Sequence, residues 1–458
     1  MLIIVDNKLT IKDASEKLKK FCEKELVMTN PEYIRRVRMN KYTGKTPEKL
    51  YLYEKDGDDY ILPYGCLERV TNLGKFDFEY KLPPTRKIDV LDKVPLYGYQ
   101  NDAVKVMQSH QVGILVSPAG SGKTQMAIAL ACRLKLKTLW ITHTLDLVQQ
   151  SYERACQYID KSLLGKIVGG KVEIGSFMTF ATVQTLSKLD LSLYKDCFDC
   201  IIVDECHRVS GSATNITMFK KALDNLRCSH VYGITATMHR ADGTLQATKA
   251  LLGDVQYTVS KEEVQSIIIN PQIKVIRTNY RLDFDSLNVD GTLNYCKMVN
   301  CLTGNYKRNE TIISVVKDCE GPCLFLSERV NQIDILYEML PERLKKLACK
   351  ITGITDKDAR KEFIDEMKYG KKKILFSTYL LAKEGLDIPC LENLIMCSPV
   401  RDEAIVTQAL GRISRISPTT NKLSATCYDF LDDNRYYEKS FKERKRIYKL
   451  LNCTIEEL

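Results

Sequence analysis

No apolar run in this 458-residue chain approaches the ~18 residues that a membrane-spanning helix needs. Leu2-Ile3-Ile4-Val5 is too short for the core of an export signal, and Asp6 follows at once. Membrane insertion and export are therefore not expected, and a cytoplasmic site of action is. The chain also lacks any regular cysteine framework. Its 17 cysteines are odd in number and scattered, so free thiols in a reducing compartment are expected. Cys197-Phe-Asp-Cys200 has the look of half a zinc site, but no second Cys-x-x-Cys pair exists to complete it. Cys200 opens an apolar run and should face a core. Zinc is not expected.

Against these absences stands an ordinary globular composition, 44% hydrophobic, with a net charge of +10. The excess favours a polyanionic partner. It is concentrated at the C-terminal end, where residues 434–449 hold seven Lys/Arg against two Glu.

The strongest local signal is Ser117-Pro118-Ala119-Gly120-Ser121-Gly122-Lys123-Thr124. Gly120 and Gly122 permit a tight turn that aims backbone N–H groups at phosphate oxygens. Lys123 is placed to reach β- and γ-phosphates, and the Thr124 hydroxyl to ligate Mg²⁺. The strict form of this loop would have Gly where Ser117 stands. A second apolar run, Cys200-Ile201-Ile202-Val203, reads as a buried strand delivering Asp204 and Glu205 to its end. Asp204 would hold the metal and Glu205 would polarise an attacking water. Together the two stretches describe a nucleoside-triphosphate hydrolysis site.

Along the chain, residues 1–92 read as a small unit without a nucleotide motif. Residues 2–5 suggest a strand. Thr10–Asp13 suggests a capping box before a helix with Ile11, Ala14, Leu18, Phe21 and Leu26 on one face. Leu50–Tyr53 and Tyr60–Leu62 suggest a hairpin around Asp56-Gly57. Arg35, Arg36, Arg38, Lys41 and Lys45 cluster beside Tyr33 and Tyr42, either a solvated surface or a grip on nucleic acid. Pro83-Pro84 and Pro95 mark a linker. From about 93 to 268, strands at 113–117, 138–142, 200–204 and 231–235 alternate with helices including 122–135 and 146–158. From about 300 to 433, strands at 323–327, 348–352, 373–378, 393–397 and 425–430 alternate with helices at 329–340, 356–369 and 402–410. This alternation predicts two parallel sheets with crossover helices.

The second α/β unit has no phosphate loop, but it carries Gln408-Ala-Leu-Gly-Arg412-Ile-Ser-Arg415. On a helix, Gln408, Arg412 and Arg415 would share one side. Arginines supplied from outside the loop would stabilise charge on the γ-phosphoryl oxygens and couple closure of the two units to hydrolysis. Downstream, Arg435, Lys439, Lys442, Arg446 and Lys449 recur at helical spacing, with Tyr437 and Phe441 placed to dock the helix. This stripe is either a phosphate-contacting face or a solvated one.

Taken in order, these segments resemble a superfamily-2 helicase over about residues 93–430. Tyr99-Gln100 resembles the element whose Gln, here Gln100, reads adenine. Residues 141–150 and 180–186, the latter with Thr182 and Gln184, resemble strand-contacting motifs of the first domain. Thr235-Ala236-Thr237 resembles the coupling motif. Ser327 in residues 324–332 and Gly353 in residues 353–360 resemble second-domain strand contacts. Thr378, Gly385 and Asp387 fall in a motif linking nucleotide to strand. Arg240-Ala241-Asp242 is similar to the Arg-Glu-Asp element of XPB-type translocases, with Ala replacing Glu. The length and small N-terminal unit resemble phage and large-virus helicases of the UvsW type.

The resemblance implies an α/β fold with two tandem RecA-like parallel-sheet domains and a small α+β N-terminal domain. The boundaries expected are 1–92 (accessory, DNA-binding), 93–268 (ATP-binding), and 269–458 (linker, second RecA-like domain and basic C-terminal helix). It implies ATP and Mg²⁺ as cofactors and single-stranded, forked or branched DNA as partner. It further implies action as a monomer in the cytoplasm (a host's, if viral) and branch migration or unwinding in replication, recombination or repair. An RNA helicase, a transcript-release motor and a non-unwinding duplex translocase subunit remain the alternatives. Single-strand contacts would come from Thr182, Gln184, Arg240, Ser327, Gly353, Thr378, Arg435, Lys439 and Lys442.

Overall fold

The computed structural model describes the chain except residues 119, 211, 237–244, 265–268, 282–285, 287, 289–291, 387, 416–421 and 423, and the side chains of 261, 357 and 383–385. It forms two compact units, one from Met1–Pro118 and Gly122–Glu263, the other mainly from Val264–Leu458.

The first unit contains two sheets. Near its start, Leu2–Val5 and Lys8–Ile11 alternate intermediate and buried positions, the period-2 signature of a half-covered sheet. The strand order is Glu54–Asp56, Asp59–Pro63, Lys8–Ile11, Leu2–Val5, Asp77–Tyr80, antiparallel except for the last, parallel pair. Two expectations are corrected here. Ile11 belongs to a strand, with Asp13 just after it at φ 52°, and the helix Glu16–Glu25 is capped by Ser15 rather than from Thr10. The hairpin around Asp56 pairs Glu54–Asp56 with Asp59–Pro63. Lys49–Tyr51 pairs instead with Val27–Thr29, because the chain bends at Leu52-Tyr53 and so separates the two strands.

This N-terminal sheet shares one continuous core with the α/β sheet that follows. Tyr64–Cys66 seats on the helix Leu245–Leu252 so closely that a Cβ on Gly65 would lie 2.4 Å from the Leu251 carbonyl carbon. The α/β sheet has eight strands. Their order is Lys171–Glu173, Leu164–Val168, Met178–Thr182, Thr138–Thr142, Cys200–Asp204, His230–Thr235, Val112–Val116, Val255–Thr258, all parallel but the first. Its central strands are mostly apolar and buried almost along their whole length, as sheets covered on both faces require. Two of them, Val112–Val116 and Cys200–Asp204, flank His230–Thr235, so the segments following them emerge side by side at the carboxyl edge.

The second unit is a seven-stranded, wholly parallel sheet. Its order is Ala348–Ile351, Ile374–Thr378, Cys323–Ser327, Asn393–Met396, Thr426–Asp432, Gln272–Thr278, Thr454–Glu457. Gln272–Thr278 lies in the stretch read as linker, yet pairs along its whole length with Thr426–Asp432. The basic C-terminal helix is Arg435–Leu450, with Tyr437 and Phe441 buried. Two buried ion pairs fasten the unit. Arg444 grips Asp429 through Nε and Nη2 at 2.8 and 2.9 Å, and Arg308 grips Asp432 at 2.6 and 3.1 Å. Among the described residues no helix is long and apolar enough to cross a membrane.

Candidate active site

The loop after Val112–Val116 begins with Ser117, whose N–H donates to the Thr235 carbonyl (2.9 Å) and so continues the pairing of the two strands. Gly120 and Gly122 then take φ +86° and +83°, the left-handed conformation that a Cβ disfavours. Gly122 is the N-cap of the helix Lys123–Leu134, whose first N–H groups therefore face the loop. A Cβ on Gly122 would sit 2.4 Å from Gln100 Nε2. Gln100, 1% exposed, is held there because its Oε1 accepts from the Tyr97 N–H (2.9 Å) at the start of the helix Gly98–Gln108. The fold thus lays the expected adenine-reading residue directly on the phosphate loop. Lys123 Nζ donates to the Pro118 carbonyl at 3.3 Å, Ser121 is buried and Thr124 half-buried.

One strand away from that pair, every residue of Cys200–Asp204 is buried and Asp204 closes the strand. Its Oδ1 accepts from the Glu205 N–H (2.9 Å) and its Oδ2 from Ser151 Oγ (3.4 Å). Glu205 adopts φ 49°, ψ 50°, a strained backbone for a residue with a Cβ and of the kind that clusters at functional sites. His207 Nδ1 lies 2.9 Å from Thr235 Oγ1 and 3.2 Å from Glu205 Oε2. Burial, then the neighbouring Glu205 charge, push the Asp204 carboxyl upward. Burial also works against Glu205, but the His207 hydrogen bond and the Lys123 charge outweigh it and hold that carboxyl below its usual range. Lys123 acts on both acids, so loop and strand end form one electrostatic site.

A hydroxyl from Thr124 and a carboxylate from Asp204 are the hard oxygen donors that Mg²⁺ prefers, and Mg²⁺ commonly takes only one or two protein ligands beside water and phosphate. The residues present therefore fit the ion. It would also relieve the crowding of the buried Asp204 carboxylate and its neighbour Glu205.

The remaining candidates separate by burial. Thr182 is 6% exposed and its hydroxyl is spent on Thr185, capping the turn Val183–Leu186. Gln184 Nε2 lies 3.2 Å from His143 Nδ1. Ser327 is fully buried, donating to Gln332 Oε1 (2.7 Å) and accepting from the Arg329 N–H. Both hydroxyls organise turns, so a phosphate would meet the turn and not these side chains. Gly353 is exposed, and Thr378 caps the helix Tyr379–Gly385 through the Leu381 N–H. Arg435, Lys439 and Lys442 are all exposed on the C-terminal helix. Gly385 ends its helix. Ala119, Arg240 and Asp387 lie outside the described residues, as do Thr237, Ala241 and Asp242.

Gln408 and Arg412 lie one turn apart on the helix Glu403–Ile413, and Arg412 Nε donates to the Ala382 carbonyl at 3.0 Å. The expectation that Arg415 shares that helical side is corrected. The helix stops at Ser414, whose N–H and Oγ both bond the Leu410 carbonyl while its own carbonyl accepts from the Ile269 N–H. Arg415 follows as an isolated bridge residue beyond the helix.

Sequence reading leaves out Ser151 and the His207–Thr235 pair, which join distant segments and have no local pattern. It also leaves out Arg444, though Asp429 inside an apolar strand is a signal that a buried cation must answer it.

The type III restriction enzyme res subunit family matches residues 93–240, and the helicase conserved C-terminal domain matches 307–417. L396 of Acanthamoeba polyphaga mimivirus, named as an ATP-dependent RNA helicase, is 27% identical over 77% of this chain and 67% of its own length. The DNA 3'-5' translocase XPB2 of Sulfurisphaera tokodaii is 26% identical over 71% of this chain and 80% of its own. The ATP-dependent DNA helicase uvsW of Enterobacteria phage T4 is 23% identical over 82% of this chain and 76% of its own.

Proposed function

We propose, from the premise that this chain belongs to superfamily 2 of the helicases in the branch of XPB and UvsW, that it is an ATP-driven DNA translocase acting on forked or branched DNA. The observation that carries the reading is the geometry that brings the phosphate loop with Lys123 and the strand end with Asp204 and Glu205 out at the carboxyl edge of one parallel sheet, on either side of His230–Thr235. Helicase domains imply use of ATP. In this reading Gly120–Thr124 cradles the phosphates, Lys123 neutralises the β- and γ-oxygens, and Glu205 orients the attacking water. Thr124 and Asp204 would hold Mg²⁺, which supplies charge neutralisation on the triphosphate when bound. Arg412 of the second unit offsets charge developing on the γ-phosphoryl group, and its engagement couples turnover to movement. Exposed Arg435, Lys439 and Lys442 contribute sequence-independent phosphate contacts. Residues 1–92 act as a DNA-gripping accessory, ahead of an ATP-binding domain and a second domain divided near residue 268.

An RNA substrate is the second reading, and similarity to L396 favours it. ATP hydrolysis measured with single-stranded DNA, a fork, a four-way junction and RNA separates them. DNA stimulation with strand separation at forks is the expected result. Stimulation by RNA alone would replace this reading with the second.

A further inference from the structure

The N-terminal unit carries a protrusion that the site above does not use. Val27–Thr29 and Lys49–Tyr51 form its base as a two-stranded ribbon. Asn30, 3% exposed, locks the neck, donating from Nδ2 to the Pro47 carbonyl and accepting from the Glu32 N–H. The helix Pro31–Arg38 between them buries none of its residues. Its first turn, Pro31–Ile34, is half-buried, while Arg35, Val37 and Arg38 are exposed, so its outer end is left to solvent.

Its tip combines two features that a merely solvated face would not. Val37, Met39 and Tyr42 are 51%, 57% and 87% exposed, on a segment rich in arginine and lysine. Tyr42 is also held. Gly44, at φ +36°, leaves the space into which its ring lies, so that a Cβ there would be 2.3 Å from Tyr42 Cε1. Arg36, fixed by Glu32, donates from Nη1 to the Tyr42 carbonyl at 3.2 Å, and the Lys41 N–H donates to the Arg36 carbonyl at 2.8 Å. The ring lies beside Gly44 and is otherwise open to solvent, and Arg38, Lys41 and Lys45, its neighbours in the chain, are exposed as well.

We propose that Tyr42 is a stacking platform for an unpaired base, with Arg38, Lys41 and Lys45 taking the flanking phosphates. An aromatic side chain has few rotatable bonds to lose on stacking, and any base offers a face, so the site tolerates sequence. It would engage a nucleic acid where strands part, and not a closed duplex, whose bases offer no free face except at the ends. This deepens the proposed function and rests on it.

The test uses the full chain with Tyr42→Trp. Trp140 is the only native tryptophan and is fully buried, so the introduced indole reports on the tip. Its fluorescence is followed against a single-stranded oligodeoxynucleotide, the matching oligoribonucleotide and a hairpin-closed duplex, while anisotropy of labelled copies reads total binding. Quenching by single strands and not by the duplex is expected, and whichever of DNA or RNA quenches at lower concentration identifies the source of the base. Tyr42→Ala should weaken single-strand binding roughly 5- to 150-fold, the range for losing one base–aromatic stack, and Tyr42→Phe should restore it. Replacing Arg38, Lys41 and Lys45 by Gln should flatten the logarithmic salt slope by roughly 2. Binding by anisotropy with no quenching and no effect of Tyr42→Ala overturns the platform and leaves the proposed function standing. Equal quenching by the closed duplex also overturns it. No binding to any nucleic acid overturns both.

Discussion

Gly122→Ala isolates the geometry of the phosphate loop. At φ +83° an alanine carries the left-handed penalty of roughly 1–2 kcal/mol. Its Cβ would also lie 2.4 Å from Gln100 Nε2, and the end of that flexible side chain must swing away. Swinging gives up the hydrogen bond from the Tyr97 N–H, about 0.5–1.5 kcal/mol. The two costs come to about 1.5–3.5 kcal/mol, which the loop avoids by leaving its phosphate-cradling shape. ATP binding should therefore weaken by about 10- to 400-fold, measured by titration with a fluorescent nucleotide, while a melting curve checks that the unit stays folded. Gln100→Ala removes the clash but not the backbone strain. The double variant should bind better than the sum of the single losses predicts, by about 1 kcal/mol. Unchanged affinity in Gly122→Ala, or strict additivity in the pair, would refute the reasoning that Gln100 and the loop are packed against each other.

Two further outcomes follow from the site and its sheet. Arg412→Ala should leave ATP affinity near that of the parent and slow single-turnover hydrolysis by about 10³-fold or more; loss of binding with normal turnover would contradict its role on the γ-phosphoryl group. Burial, helped by Lys87, pulls the His230 imidazole from 6.5 down to about 4. The folded chain then keeps His230 neutral where the unfolded chain protonates it, so stability is full above about pH 6.5 and falls by about 3 kcal/mol as pH drops toward 4. Denaturant titrations across that window should show this slope shrinking in His230→Gln, and an unchanged slope would show that other groups carry it.

Much of the architecture is written in apolar runs. Cys200–Asp204 and Cys323–Ser327 are buried along their whole length, so composition alone marks them. Gln272–Thr278 hides because it mixes Gln, Lys and Arg with its apolar residues and takes its place from pairing with Thr426–Asp432. Ile11 continues the apolar positions of the following helix by coincidence of spacing, while its strand is set by partners on both sides. The loop residues and Asp204-Glu205 were legible because their chemistry fixes their spacing. Arg415 was not, because a helix end depends on a tertiary bond, here from the Ile269 N–H to the Ser414 carbonyl. Ser327 and Thr182 show the same limit from the other side, since a motif match names a position and not the direction in which its hydroxyl is spent.

The central claim is that Lys123 and the Asp204–Glu205 pair form one hydrolysis centre that nucleic acid switches on. The direct measurement is the steady-state rate of ATP hydrolysis by Lys123→Ala with saturating single-stranded DNA. The account predicts a fall of about 100-fold or more from the parent rate and no remaining stimulation by DNA. A stimulated rate equal to that of the parent would contradict it.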